Sequence, residues 1–551
     1  MPSPAPAERS MVVPPATARR SGDGPPAAWP GRAASVVVLG VVAVALATFV
    51  LVAGTPRLLA IVPDDAAYFF QIAAHASAGE GLTFDGIHRT NGFQPLWLGV
   101  LVLAHTIARG APETMLRVFL LLQIALVTAA AGLVHDLLAR TSSRHVAFLS
   151  VLVLVFWVCV PAVNGMESAL LVCSLALACS YATRAGVLVG GTVGGGVGRR
   201  FVLGLLLGVV VLARLDTVFL VVAVCAGDAV RILGGGDRRH ASARLAATLG
   251  GVGLLVGPYL VFNVLSFGAA MPISGRLKSS FPAFAFTGSL PGSLPETLDG
   301  TGRLGLLLAA AQVVWFVLRR RRPQPLHAVL AFASAGVLLH FLHTVLFMKW
   351  AVFAWHFVAY GLVGTLIGSQ LLWIVFPRVP LGAARVAYLA VAGVVVALGL
   401  ARTVRLLDPP LERSWGAAAY EAALWARRAT PATAVFAMSD CGAFGYYSRR
   451  RTINLDGVVN DMEFQAVLRR RELQPYLQRC GVRFLAHHAF WNRPDILSGS
   501  YAPLRMSYTS RSYGTQSDEI VVSPADEAYR SPPYFDGPYE TVFLVWKLPL
   551  R

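Results

Sequence analysis

A chain of 551 residues that is 56% hydrophobic and only 14% charged, with a mean hydropathy of +0.61, does not fold as soluble domains, and apolar runs recur along most of it. Its formal net charge of +18 would suit a nucleic-acid partner if the cations shared one face. The arginines fall instead in short loops between apolar runs, which is the pattern of positive-inside topology, and nucleic acid is excluded as a partner.

Residues 1–33 are rich in Pro, Ala and Ser, carry Arg9, Arg19, Arg20 and Arg32, and have no apolar period. They read as a disordered cytoplasmic tail. The first span, over 34–54, lacks a signal-peptidase site and is long enough to stay as an anchor. It crosses outward, so the loop 55–114 that follows is external. Within that loop, 68–77 predicts an amphipathic helix along the membrane surface, and the apolar stretch 95–108 is about half the length of a crossing. If it did span, every later basic loop would be inverted, so it reads as re-entrant or juxtamembrane.

The remaining spans are predicted over 115–138, 145–160, 168–183, 201–213, 217–233, 245–266, 304–318, 326–347, 352–376 and 383–403. Arg140 and Arg144, then Arg184, Arg199 and Arg200, then Arg238, Arg239 and Arg244, then Arg319 to Arg322, then Arg378 and Arg385 all fall on the cytoplasmic side of this arrangement. The fold class is a polytopic α-helical membrane protein of about eleven spans over residues 34–407, amino end inside and carboxyl end outside. The glycine-rich run at 190–198 has no Lys-Ser/Thr after it and reads as a flexible connection, not a phosphate loop. Cys159, Cys173, Cys179 and Cys225 lie in or beside apolar runs as small hydrophobes. Cys441 and Cys480 lie in a polar region, where a disulfide is open to them if that region is extracytoplasmic.

Pro409-Pro410 marks a change of character. Residues 408–551 read as a small extracytoplasmic α/β domain: a helix over 415–428, strands over 434–438, 452–455 and 482–486, and a helix over 461–479. The late runs 519–522 and 541–548 are candidates to complete its parallel sheet.

The chemistry concentrates after the first span. Asp64 and Asp65 stand beside a bilayer, where charge is costly unless it serves something. Three ordered blocks follow in one loop: Asp64-Asp65-Ala66-Ala67-Tyr68-Phe69-Phe70, Gly79-Glu80-Gly81-Leu82-Thr83-Phe84, and Asn91-Gly92-Phe93-Gln94-Pro95-Leu96-Trp97. Together they resemble the first external loop of the GT-C glycosyltransferases, multi-span enzymes that take a sugar from a polyprenyl-phosphate carrier, and are similar to a bacterial subgroup that includes the arabinofuranosyltransferase-like proteins.

The resemblance implies a bacterial plasma-membrane enzyme of inverting type, moving a sugar from a polyprenyl-phosphate donor to an extracytoplasmic glycan, lipid or protein. It makes Asp64 the base for the acceptor hydroxyl and Asp65 its supporting or metal-binding partner. Neighbouring side chains on a helix point about 100° apart, so the two do not share one role. Asn91 and Gln94, in the third block, become substrate-binding candidates by the same resemblance.

Glu167, in Asn164-Gly165-Met166-Glu167-Ser168, matches an element of the subgroup's second external loop and would join Asp65 at a divalent ion, Mg or Mn. Its other reading is a helix N-terminal acid favoured by the dipole. Arg214 and Asp216 interrupt an apolar region. A structural ion pair or tight turn is their simplest account, while the subgroup's Arg-x-Asp element keeps Arg214 as a site-lining candidate. Arg276 and Lys278 stand at the exit of a span, where they would bind the donor phosphate or anchor to anionic membrane lipid. His340, His343, Lys349, Trp355 and His356 read as an interfacial aromatic belt in preference to a metal site. Asp440 to Tyr447 and Asn454 to Gly457 follow strand ends, as turn formers or as a site for the acceptor. The rival functions are a transporter or lipid flippase, which needs ionisable groups near the midplane of several spans, and a non-catalytic scaffold of the cell envelope.

Overall fold

The apolar runs form helices in the computed structural model, which describes residues 32–189, 196–234, 238–284, 298–319, 324–375, 381–411, 414–488, 490–510, 512 and 517–549. The tail over 1–31, most of the glycine-rich run and Arg378 lie outside the described residues.

Eight helices are long and apolar enough to cross a membrane among the described residues: Ala33–Val52, Pro112–Thr141, Ser168–Ala185, Arg238–Phe267, Gly300–Leu318, Pro325–Phe347, Ala354–Ile374 and Arg385–Leu407. Arg144–Cys159, Val197–Ala213 and Val218–Leu233 are shorter apolar helices that occupy the other expected spans. Several extend past the apolar window, as Pro112–Thr141 does at both ends, because Pro at the first turn and helix-forming polar residues carry the helix onward. Arg144–Leu154 widens into a π turn at Val155–Cys159 before the chain reaches Glu167.

The first-loop helix is Asp64–Ser77, longer than expected by one turn. Pro63 in extended conformation opens it, two acids occupy its dipole-favoured first turn, and Gly79 at φ 81° follows its end. It does not lie on a surface as an amphipathic helix would. Tyr68, Phe69, Phe70, Ile72 and Ala73 are all buried, because Pro95–Ala108 packs on one side and a helix of the C-terminal domain, Gly442–Ser448, packs on another.

The C-terminal domain carries a five-stranded sheet in the order 451–454, 435–438, 484–487, 544–547, 527–530. The first three strands are parallel, 544–547 runs antiparallel to them, and 527–530 runs antiparallel to 544–547. A parallel sheet is the expectation from the sequence; 544–547 instead pairs antiparallel with both 484–487 and 527–530, while 539–541, just before it, pairs with 534–536 in a separate hairpin. The run 519–522 is not in this sheet either. It belongs to Ser517–Val522, which pairs with Leu504–Thr509 as a separate hairpin. The helix expected over 461–479 is two, Met462–Arg470 and Leu473–Arg479, broken where Arg471 turns left-handed at φ 58°.

Val435–Met438 is buried on both faces. Phe436 and Met438 face the core continuous with the membrane helices, while Val435 and Ala437 face a second core with Ile453, Phe464 and Trp546, as the two-residue period of a strand requires. Cys441 and Cys480 are free thiols, so the disulfide left open by the sequence is not formed.

Candidate functional site at the loop, span and domain junction

Asp64 and Asp65 face different ways, and that divergence organises the site. Gly442 and Ala443 donate their backbone N–H groups to the two oxygens of Asp64, each at 2.7 Å. The approach is so close that a Cβ on Gly442 would stand 2.2 Å from the Asp64 carbonyl oxygen, so only glycine fits there. Asp65 points instead toward Lys278, whose Nζ is 3.8 Å from its Oδ2 and 5.8 Å from the centre of the Trp350 ring. Burial pushes both carboxyls upward. For Asp64 the Ala443 and Gly442 amides oppose it, with Asp440 and Asp65 adding to the rise; for Asp65, Lys278 opposes it.

One turn on, Tyr68 ties the same helix to the loops at the carboxyl ends of the parallel strands. Its hydroxyl donates to Asp456 Oδ2 at 2.9 Å and accepts from the Cys441 N–H at 3.2 Å. Asp456 Oδ2 also accepts from the Asp440 N–H and from Asn454 Nδ2. These are the positions where an α/β sheet presents a ligand, and here they receive side chains of the membrane domain. Gly92 makes a second such junction, with no room for a Cβ against the Val458 carbonyl oxygen.

Both aspartates open onto a cavity of about 1210 Å³. Trp157, Pro161, Phe357 and Leu406 make part of its wall apolar, while Asp440, Asp456 and Asp536 of the C-terminal domain stand on the opposite wall. A cavity lined by apolar side chains of the helices and by acids of the C-terminal domain suits a substrate that is itself amphipathic.

The other sequence candidates divide. Glu167 and Arg214 are buried, at 1% and 4% exposure, in direct contact with one another. Arg214 Nε is 2.9 Å from Asp216, and His340 continues the chain to Asp216 at 3.3 Å and to the Tyr360 hydroxyl at 2.7 Å. His340 is thus held by an acid and a phenol within the protein. Gln94 is not turned toward the cavity: its Oε1 accepts the Leu215 N–H at 3.0 Å. Asn91 is buried and spent on Asn263 and on the Ile273 N–H, fixing the start of the helix Ile273–Lys278 that delivers Lys278. Arg276, on that same short helix, is half-buried.

Sequence reading missed the Gly442 and Ala443 amides, since backbone donors leave no residue signature. It also missed the pairing of Asp85 with His88 at 2.6 Å, although an acid three residues before a histidine in a Gly-rich turn was visible. Among the described residues no group of three His, Cys, Asp or Glu side chains is placed to hold a metal ion.

Residues 412–530 match the model of a domain of unknown function (DUF8728). No curated protein matches the chain. Among solved structures, ArnT from Cupriavidus metallidurans bound to undecaprenyl phosphate is similar at 14% identity and TM-score 0.52, covering 89% of this chain and 98% of that one. ArnT in the apo state is similar at 14% identity and TM-score 0.50, covering 92% and 97%. An Archaeoglobus fulgidus oligosaccharyltransferase, in complex with Zn and sulfate, is similar at 13% identity and TM-score 0.49, covering 83% and 71%. On this likeness to ArnT, over nearly the full length of both chains, the protein is a multi-pass membrane protein with the GT-C fold.

Proposed function

We propose that the protein is a glycosyltransferase that moves a sugar from a polyprenyl-phosphate donor to an extracytoplasmic acceptor, with inversion at the anomeric carbon. The observation that carries this reading is the divergence of Asp64 and Asp65 at one helix start, one toward the soluble domain and the other toward Lys278. Asp64 takes the proton of an acceptor hydroxyl arriving from the domain side. The freed oxygen attacks the anomeric carbon, the bond from that carbon to the phosphate oxygen breaks, and the electron pair leaves with the polyprenyl phosphate. Each Asp64 oxygen spends one lone pair on an amide and keeps another for the proton, while the amides fix its aim. Lys278 meets the departing phosphate, with Asp65 setting its position.

Glu167 and Asp65 are the residues that would hold a divalent cation. Glu167 Oε2 is buried without a hydrogen-bond partner, and the charges of Glu167 and Asp65 act on one another. Two protein carboxylates would suit an ion such as Mg, which takes much of its shell from phosphate and water, and which would supply positive charge at the leaving group.

The basic loops support an orientation with the amino end in the cytoplasm of a bacterial plasma membrane and the C-terminal domain outside. A cysteine introduced at Ser77 is then expected to react with an impermeant thiol reagent in intact cells, and one at Ser242 to be protected; the reverse pattern inverts the orientation. The function itself is tested by following sugar transfer from a polyprenyl-phosphate donor with purified protein. Asp64→Asn is expected to lower turnover by roughly 100-fold or more while donor binding survives. Near-normal transfer by this variant removes Asp64 as the base.

A further inference from the structure

On the C-terminal domain the large hydrophobics are almost all buried. Among its described residues Leu411, Trp491 at 51% exposure, Val521 at 53% and Tyr539 at 46% are the exceptions, and of these Trp491 and Tyr539 are neighbours, with ring centroids 5.8 Å apart and planes inclined by 36°. Their exposure is built, not incidental. The Trp491 indole N–H donates to Asp536 Oδ2 at 3.0 Å, fixing the ring. The loop beneath it is pinned to the hairpin of Tyr534–Asp536 and Tyr539–Thr541: the Asn492 N–H donates to the Glu540 carbonyl, the Glu540 N–H to Asn492 Oδ1, and the Phe490 N–H to Thr541 Oγ1. Asn492 holds a left-handed φ of 51° to present the tryptophan this way. Trp491 and Asp536 line the same cavity as Asp64 and Asp65, with Ser507 and Thr509 beside them.

We infer that Trp491, Tyr539 and Asp536 form a subsite for a neutral glycan, so that the acceptor is a saccharide chain which enters the cavity from this rim. An indole face offers the C–H surface of a sugar ring a rigid apolar contact of low entropic cost, and the surrounding carboxylate and hydroxyls can take its hydroxyl protons. Arg402 and Arg405 line the cavity from the helix Leu381–Leu407, but the charged residues that the C-terminal domain contributes to it, Asp440, Asp456 and Asp536, are all acidic and disfavour a phosphorylated or uronic-acid polymer on this side. They equally disfavour the alternative in which the two rings lie in an anionic lipid interface.

This inference rests on the proposed transferase reading for its site, but binding is measured apart from transfer. The full chain in detergent is titrated with neutral oligosaccharides of about four sugars, built from arabinose, galactose, glucose or mannose, and followed by calorimetry. The wild type is expected to bind at least one of them, Trp491→Ala to bind it about tenfold or more weakly, and Trp491→Phe to recover much of the loss. Undecaprenyl phosphate binding is expected to be unchanged in both variants. Failure of the wild type to bind any of the set, or equal binding by Trp491→Ala, overturns the subsite. So does a loss in Trp491→Ala of binding to phosphatidylglycerol vesicles with oligosaccharide binding intact, which assigns the rings to lipid. Saccharide binding without any transfer from a polyprenyl-phosphate donor would sink the proposed function and leave the subsite standing.

Discussion

Two acid-and-cation groups lie within the same helical framework and are built in opposite ways. Glu167, Arg214, Asp216 and His340 form a closed chain: Arg214 spends its guanidinium on two carboxylates, and the side chains of Glu167 and Arg214 are 1% and 5% exposed. Asp65 and Lys278 form an open pair, at 3.8 Å, with side chains 27% and 19% exposed, and Asp65 lines the cavity. A charge buried among apolar helices must be matched on the spot, whereas a charge that is to meet a substrate must be left under-matched until the substrate arrives. The difference separates a group matched by its own cation, with Glu167 Oε2 left over, from a pair left open to a ligand, though the sequence presents both groups simply as charges among apolar residues.

The largest expected effect comes from breaking the closed chain. Arg214→Met leaves Glu167 and Asp216 facing each other without their cation, and removal of one partner from such a group costs about 3–5 kcal/mol. The variant is expected to lose most of its folded yield and to unfold in detergent well below the wild type. Normal yield and melting with lost transfer would move Arg214 from the framework to the site. The open pair should answer in the other way. Lys278→Met removes a loosely held, partly exposed partner, so melting is expected to shift little. Loss of a charged contact to phosphate, worth about 1.5–3 kcal/mol, should raise the KM for the donor by roughly 10- to 100-fold. Unchanged KM and turnover return Lys278 to anchoring at the lipid headgroups.

The contrast also marks how far the sequence could be read. Apolar windows sufficed for the helices, because burial in lipid or protein imposes the same composition over a whole span, and Arg214 beside Asp216 was legible as a pair because they are two residues apart. What closes each group was not legible. Glu167 lies 47 positions from Arg214, and Asp64 lies 378 from the amide that holds it. Gln94 and Asn91 carried the right residue types for a substrate, but their amide groups serve the Leu215 and Ile273 backbone. The run 519–522 was legible as a strand, but its partner 504–509 was not, because Met506 and Tyr508 alternate with polar residues too briefly to stand out, and so the hairpin they form was not legible either.

The smallest effect sharpens the comparison by taking a closed pair out of the membrane framework, where it can be titrated. Asp85 accepts the N–H groups of Ile87 and His88 at 2.8 Å and meets His88 Nδ1 at 2.6 Å, and the other ring nitrogen reaches the Tyr476 hydroxyl at 3.3 Å, so the pair stitches the first loop to the C-terminal domain. Burial alone would push His88 down, but the hydrogen bond and charge of Asp85, with a further bond to Cys480, hold it up at about 10. Against its own burial, Asp85 is held below the usual carboxylate range by His88. A raised histidine stabilises fully below its unfolded value near 6.5, and that contribution declines as pH climbs and is gone once pH passes about 10. A depressed carboxylate stabilises above its unfolded value near 3.9 and loses this as pH falls. The pair therefore stabilises most between about pH 4 and 6.5. Melting of the wild type should fall from about pH 7 to 10, and His88→Gln should be less stable at pH 6 yet nearly flat over the alkaline range. If the variant keeps the wild-type slope, the alkaline loss arises elsewhere and the Asp85 and His88 contact is not a closed ion pair in solution.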